Sequence, residues 1–134
     1  MVCTTEDPID SLEFHQKFAN NSVGIKMSTA FRPDKAILIA NDGYNAYLDT
    51  LGDVSGVAIN TFADLQTALR NRIEFFNANG CKLSDHGLDQ IYFEEFTESE
   101  ISAIFKKKRE NRKTNFWWNV CYEKQNVGRT NCYE

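Results

Sequence analysis

Between Thr61 and Gly87 the chain passes through an amphipathic helix, a glycine stop, a short apolar strand and a polar tip, an order that leaves few folds open. Phe62, Leu65, Leu69, Ile73 and Phe76 recur at helical spacing and define a buried stripe. Thr61 stands at the N-cap with Asp64 at N3, the signature of a capping box, and Gly80 ends the helix near Asn79. Cys81–Ser84 reads as a strand that opens into Ser84-Asp85-His86-Gly87. A carboxylate and an imidazole then lie at a strand's C-terminal tip. In α/β folds that is where ligand-binding and catalytic groups gather.

The rest of the chain repeats the alternation. Met1–Thr5 suits a strand, and Asp7-Pro8 reads as an N-cap followed by proline at the first helical position. Ile9, Leu12, Phe18 and Ala19 give an approximate helical face through Asn20. Val23–Phe31 is the second strand, stopped at Arg32-Pro33, where proline also biases Arg32 to extended backbone. Tyr44, Tyr47, Leu48 and Leu51 predict a helix over Asp42–Leu51, with Gly52 as its C′ residue. Thr97-Glu98-Ser99-Glu100 is a second capping box, opening a last helix with Ile101, Ile104 and Phe105 inward. Strands that alternate with helices pair in parallel through helical crossovers.

The 134 residues, 42% of them hydrophobic, amount to one domain's worth of chain. The net charge of −4 argues against nucleic acid as a partner. That charge is uneven: residues 1–105 hold seven Lys and Arg against sixteen Asp and Glu, and residues 106–134 hold eight against three. A basic run, Lys106–Lys113, precedes Phe116-Trp117-Trp118. Phosphate contacts and base stacking are one reading of it; a solvated helix end with a poorly ordered terminus is the preferred one. Cys3, Cys81, Cys121 and Cys132 show neither CxxC spacing nor paired histidines, so they read as reduced thiols rather than zinc ligands. No signal peptide precedes them, and a cytoplasmic location is expected. Apolar runs such as Ala36–Ala40 are too short to span a bilayer.

Three strand tips carry polar groups: Thr4-Thr5-Glu6-Asp7, Arg32-Pro33-Asp34-Lys35 and Ser84-Asp85-His86. Parallel strands point these tips the same way, onto one face. Asp7 is read first as a cap, because Pro8 follows it. Arg32 has a default partner in Asp34. His86 is balanced between a structural and a functional role, and His15, mid-helix, is read as structural. Spacing alone gives a parallel α/β arrangement with a polar strand-end face, and no reaction.

Taken together, TTEDPIDSLEFH, FRPDKA and TFADLQTALRNRIEFFNANGCKLSDHGLD closely resemble the uronate isomerase (glucuronate isomerase) family of the metal-dependent amidohydrolase superfamily. The resemblance runs from Met1 to about Phe105 and is not recognisable over Lys106–Glu134. It implies an α/β fold that is part of a (β/α)8 TIM barrel, with about three of its parallel strands. Residues 1–105 are then a partial barrel, and residues 106–134 a divergent basic and aromatic tail. The implied reaction is aldose–ketose isomerisation, D-glucuronate to D-fructuronate and D-galacturonate to D-tagaturonate. The resemblance assigns Arg32 to the sugar carboxylate, and His86 to the mouth of the fifth strand, as metal ligand or substrate contact. Asp85 joins His86 in the catalytic set by orienting it or the loop beside it. The implied cofactor is a divalent metal, zinc or manganese, and the partner a small uronate.

The superfamily's metal site rests on a His-x-His pair after the first strand and an aspartate after the eighth. This sequence has no His-x-His. A closed barrel takes roughly 200 residues or more, so the isolated chain is expected to be inactive and to self-associate through open sheet edges. The competing readings are a non-catalytic α/β module binding a sugar acid or a partner chain, and a different hydrolase of the same superfamily.

Overall fold

Three parallel strands organise the chain in the computed structural model, which describes residues 1–19, 24, 26–87 and 95–110. They are β1 (Val2–Glu6), β2 (Met27–Phe31) and β3 (Leu83–Ser84), in spatial order β1-β2-β3. The parallel pairing expected from the alternation is present. Register does more than hold the sheet: Glu6 lies opposite Phe31, and Phe31 opposite Ser84. One row of residues therefore ends all three strands, and everything that follows leaves the sheet at the same end. The ladder continues one step further, Arg32 N–H donating to the Glu6 carbonyl (3.0 Å) and Asp85 N–H to the Phe31 carbonyl (3.2 Å).

The helices are α1 (Glu13–Ala19), α2 (Asp34–Ile37), α3 (Tyr44–Ser55), α4 (Phe62–Ala78) and α5 (Glu98–Arg109). The stripe of α4 turns into the core, and Phe76 near its C-terminal end meets Phe31 of β2 edge to face at 5.1 Å between centroids. Phe62, at the other end of α4, meets Phe105 of α5 at 6.2 Å. With Leu48, Leu51, Leu65, Leu69, Ile101 and Ile104 these rings form one core. Burying each such side chain stabilises by about 1.5–3 kcal/mol, which makes α4 the element linking the sheet to α3 and α5.

Both capping boxes form. Thr61 accepts from Asp64 N–H at 3.2 Å while the Asp64 carboxylate accepts from Thr61 N–H at 2.7 Å. Thr97 and Glu100 repeat the exchange at 3.3 and 2.8 Å.

Three expectations are corrected. Asp7-Pro8 opens a turn rather than a helix: Asp7 accepts from Ile9 N–H (3.2 Å), and Asp7 N–H donates to the Asp10 carboxylate (2.7 Å). Leu12 is left-handed at φ 56° with its side chain in the core, so helix starts only at Glu13, and α1 buries none of its residues. Gly52 is not the end of its helix. α3 continues to Ser55 and stops at Gly56, which takes the left-handed φ of 71° that glycine tolerates. Gly52 instead sits where a Cβ would lie 2.9 Å from the Val57 carbonyl oxygen. The third strand is two residues long, because Cys81 N–H is still bonded to the Phe76 carbonyl at the helix end (3.0 Å).

Lys106, Lys107, Lys108 and Arg109 complete the last turn of α5, where positive charge complements the helix dipole. The expected helix end at Asn20, the strand start at Val23, and the tail from residue 111 with Phe116-Trp117-Trp118 lie outside the described residues.

Candidate functional site

The common row ending the strands places Asp7, Arg32 and Asp85 as successive exits from β1, β2 and β3. Arg32 donates from Nε to Asp85 Oδ1 at 3.0 Å and from Nη2 to Asp85 Oδ2 at 2.5 Å. Its Nε also lies 4.0 Å from Asp34 Oδ2. The hydrogen bond it donates to Asp85 raises the guanidinium pKa above its ordinary value, against a smaller opposing desolvation effect. Arg32 thus remains a permanent cation, with its side chain 42% exposed.

His86 is the buried member of the cluster, its side chain 8% exposed. Its Nδ1 lies 3.3 Å from Asp34 Oδ1, and the other Asp34 oxygen accepts from Gly87 N–H at 2.9 Å. An ionised carboxylate only accepts, so the imidazole donates from Nδ1. A Cβ on Gly87 would lie 3.0 Å from Asp34 Oδ2, a tight approach that suits glycine at this position. The expectation had Asp85 orienting His86 or the loop beside it; the carboxylate at the ring's Nδ1 is Asp34. Asp85 is committed to Arg32. The default partner assumed for Arg32 is, in turn, the group that holds the histidine.

The third tip is tied in through residues that sequence reasoning did not single out. Asp7 accepts from the Tyr47 hydroxyl at 2.8 Å and pairs with Lys35 Nζ at 3.4 Å. Burial, then the Asp7 charge, raises the Tyr47 pKa far above its ordinary value, so the hydroxyl stays a donor. Tyr47 had counted as an apolar helix position, and nothing in its spacing marks the polar contact. Arg72 was likewise hidden within the α4 pattern. It is buried and donates to the carbonyls of Pro8 (2.6 Å), Asp10 (2.8 Å) and Val54 (3.3 Å), fixing the turn after β1. His15 takes the structural place expected of it, with Nε2 2.7 Å from Thr4 Oγ1.

Among the described residues no three His, Cys, Asp or Glu side chains lie together as a metal site. His86 is a single donor whose Nδ1 is engaged by Asp34, so these residues do not by themselves fit a divalent ion. A groove of about 430 Å³ beside β3 is lined by residues including Phe31, Glu74, Phe76, Cys81 and Leu83, and none of Arg32, Asp34, Asp85 or His86 borders it.

The sequence profile of glucuronate isomerase matches residues 1–124. The chain belongs to the glucuronate isomerase family. It is 95% identical over 112 residues to the uronate isomerase of Flavobacterium johnsoniae, covering 84% of this chain and 24% of that protein. The uronate isomerase of Phocaeicola vulgatus is 50% identical over 107 residues, covering 79% of this chain and 23% of that protein. The chain thus spans about a quarter of the length of the curated glucuronate isomerase relatives it matches. The crystal structure of uronate isomerase from Thermotoga maritima superposes with a TM-score of 0.91 at 26% identity, over 96% of this chain and 28% of that one. Glucuronate isomerase from Caulobacter crescentus, at 23% identity, shares the fold with a TM-score of 0.85 over 96% of this chain and 26% of its own. β1–β3 with their helices are therefore part of the (β/α)8 barrel of this family, as the resemblance implied.

Proposed function

We propose that this chain forms one side of the substrate face of a uronate isomerase, converting D-glucuronate to D-fructuronate and D-galacturonate to D-tagaturonate. The observation that carries the reading is the side-on pairing of Arg32 by Asp85 at adjacent strand tips. Asp85 takes Nε and one side of Nη2, which leaves the Nη1–Nη2 edge of a half-exposed fork for the sugar carboxylate. A planar guanidinium binds a carboxylate through two parallel hydrogen bonds, and a strand tip holds it rigidly. In this reading Asp85 serves catalysis through Arg32.

Isomerisation moves a proton between C2 and C1 and requires groups at the carbonyl and hydroxyl oxygens. His86 is our candidate for that end of the sugar: with Nδ1 protonated, Nε2 carries the lone pair. Zinc or manganese, the ions the resemblance implies, require donors beyond His86, and the described residues do not supply them. The complete reaction accordingly belongs to a longer barrel, and we expect it in the cytoplasm. No helix among the described residues is long and apolar enough to cross a membrane.

The test is Arg32→Met in a full-length relative carrying the same FRPDK and SDHG motifs. Loss of a bidentate charged pair lowers kcat/KM for glucuronate about ten- to a hundredfold, chiefly through KM. Unchanged kinetics remove Arg32 as the carboxylate anchor.

A further inference from the structure

We infer that Asp34 is the positioning residue for His86, setting both its tautomer and its ring orientation. The inference rests on the reading of His86 as the imidazole at the sugar's reacting end.

Asp34 is the first residue of α2, three positions past the end of β2 at Phe31, whereas His86 follows β3. One carboxylate spans the gap, with one oxygen on the ring at 3.3 Å and the other on the next peptide N–H at 2.9 Å. The two contacts have separate consequences. The ring contact requires a proton on Nδ1, which in the neutral ring places the lone pair on Nε2. The peptide contact holds the backbone immediately after the histidine against the same carboxylate, which fixes the point from which the ring projects. The position after His86 has little room for a side chain, since a Cβ there would sit 3.0 Å from the same Asp34 oxygen. That geometry couples Gly87 to the same task.

Asp34 is itself kept in place electrostatically. Arg32 Nε stands 4.0 Å from Oδ2, between Asp34 and Asp85. The cluster is therefore a chain, Asp85–Arg32–Asp34–His86, in which the fork that would anchor the carboxylate also steadies the acid that orients the imidazole. Both ends of a bound sugar acid would be registered against one set of strand tips.

The chain has only two histidines, so its imidazole nitrogens are distinguishable by ¹⁵N NMR once His15→Gln assigns the second set. The full 134-residue chain is expected to show His86 protonated on Nδ1 at neutral pH. Asp34→Asn, whose amide oxygen still accepts, retains that tautomer. Asp34→Ala shifts His86 toward the Nε2–H form that unconstrained imidazole favours in water. A wild-type His86 protonated on Nε2 overturns the inference, as does a tautomer unmoved by Asp34→Ala.

In a full-length relative with both motifs, Asp34→Ala lowers kcat about ten- to a hundredfold and leaves KM for glucuronate within a few-fold. Asp34→Asn recovers a substantial part of the loss. A pure KM effect, or equal losses in both variants, counts against positioning. A tautomer that follows Asp34 beside an unaltered kcat supports the positioning and overturns instead the catalytic reading of His86.

Discussion

Arg32 and Asp85, fifty-three residues apart in sequence, meet as a two-point ion pair because Phe31 and Ser84 end their strands in register. The pair is partly exposed, and exposed pairs contribute little to stability. In the proposed reading its value lies in orientation. Asp85→Asn in a full-length relative is expected to leave the melting temperature in place while lowering kcat/KM about tenfold, through a fork no longer held side-on. Thermal unfolding and steady-state kinetics on the same preparation check this. A lower melting temperature with unchanged kinetics makes the pair structural.

Arg72 illustrates the opposite case. Its guanidinium is buried, gives all three of its nitrogens to backbone carbonyls, and lies 4.1 Å from the Phe75 ring centroid. Desolvation lowers its pKa, against smaller raising effects from Asp10 and Tyr47. Arg72→Met leaves the carbonyls of Pro8 and Asp10 without their partner, an expected loss of about 2–4 kcal/mol. Urea unfolding measures the loss, and limited proteolysis should find new cleavage in the turn at 7–10. A variant as stable as the parent refutes this clamp.

The two capping boxes set the acid sensitivity of the helices that carry the core. Asp64 is held below its ordinary 3.8 by the Thr61 backbone and hydroxyl, and Glu100 below its ordinary 4.5 by the Thr97 hydroxyl and backbone. A carboxylate whose folded pKa is depressed stabilises the fold above its unfolded value and loses that contribution as pH falls through the folded one. Stability should therefore drop below about pH 4.5. Thr61→Ala should cost about 1 kcal/mol at neutral pH, with its difference from the parent shrinking in acid. Urea midpoints from pH 7 to pH 3 provide the comparison; a pH-independent difference denies the carboxylate its part.

How far the sequence revealed all this depends on which interactions are local. Capping boxes and the α4 stripe are written within a few residues, and both stand where expected. The parallel sheet followed from alternation alone. Gly52 misled because two glycines lie close together, and only the approach of Val57 and the φ of Gly56 separate a packing glycine from a terminating one. Asp7-Pro8 misled because a turn and a helix start share their first residues; the decision is made by Leu12, pulled into the core with a positive φ. At the site, Arg32, Asp85 and His86 were visible as strand-tip residues. Which carboxylate serves which partner was not, because that is fixed by the β2–β3 register and the entry into α2. The tie from Tyr47 to Asp7 spans forty residues and leaves no local trace.

The sheet edges give the last expectation. Among the described residues β1 and β3 are its outer strands, and Val2 and Leu83 on them are 48% and 54% exposed. Unpaired strand edges with apolar side chains template association with another chain. The isolated chain is expected to show no turnover of glucuronate with zinc or manganese, and to sediment as larger species as its concentration rises. Lysine on an edge opposes such pairing, so Leu83→Lys should shift the distribution toward monomer, and Val2→Lys should do so at the other edge. Sedimentation velocity across a wide concentration range separates the outcomes. A chain monomeric throughout has no sticky edge. If the Leu83→Lys chain associates like the parent, β3 is not the contact, and measurable turnover by the isolated chain refutes the dependence on a longer barrel.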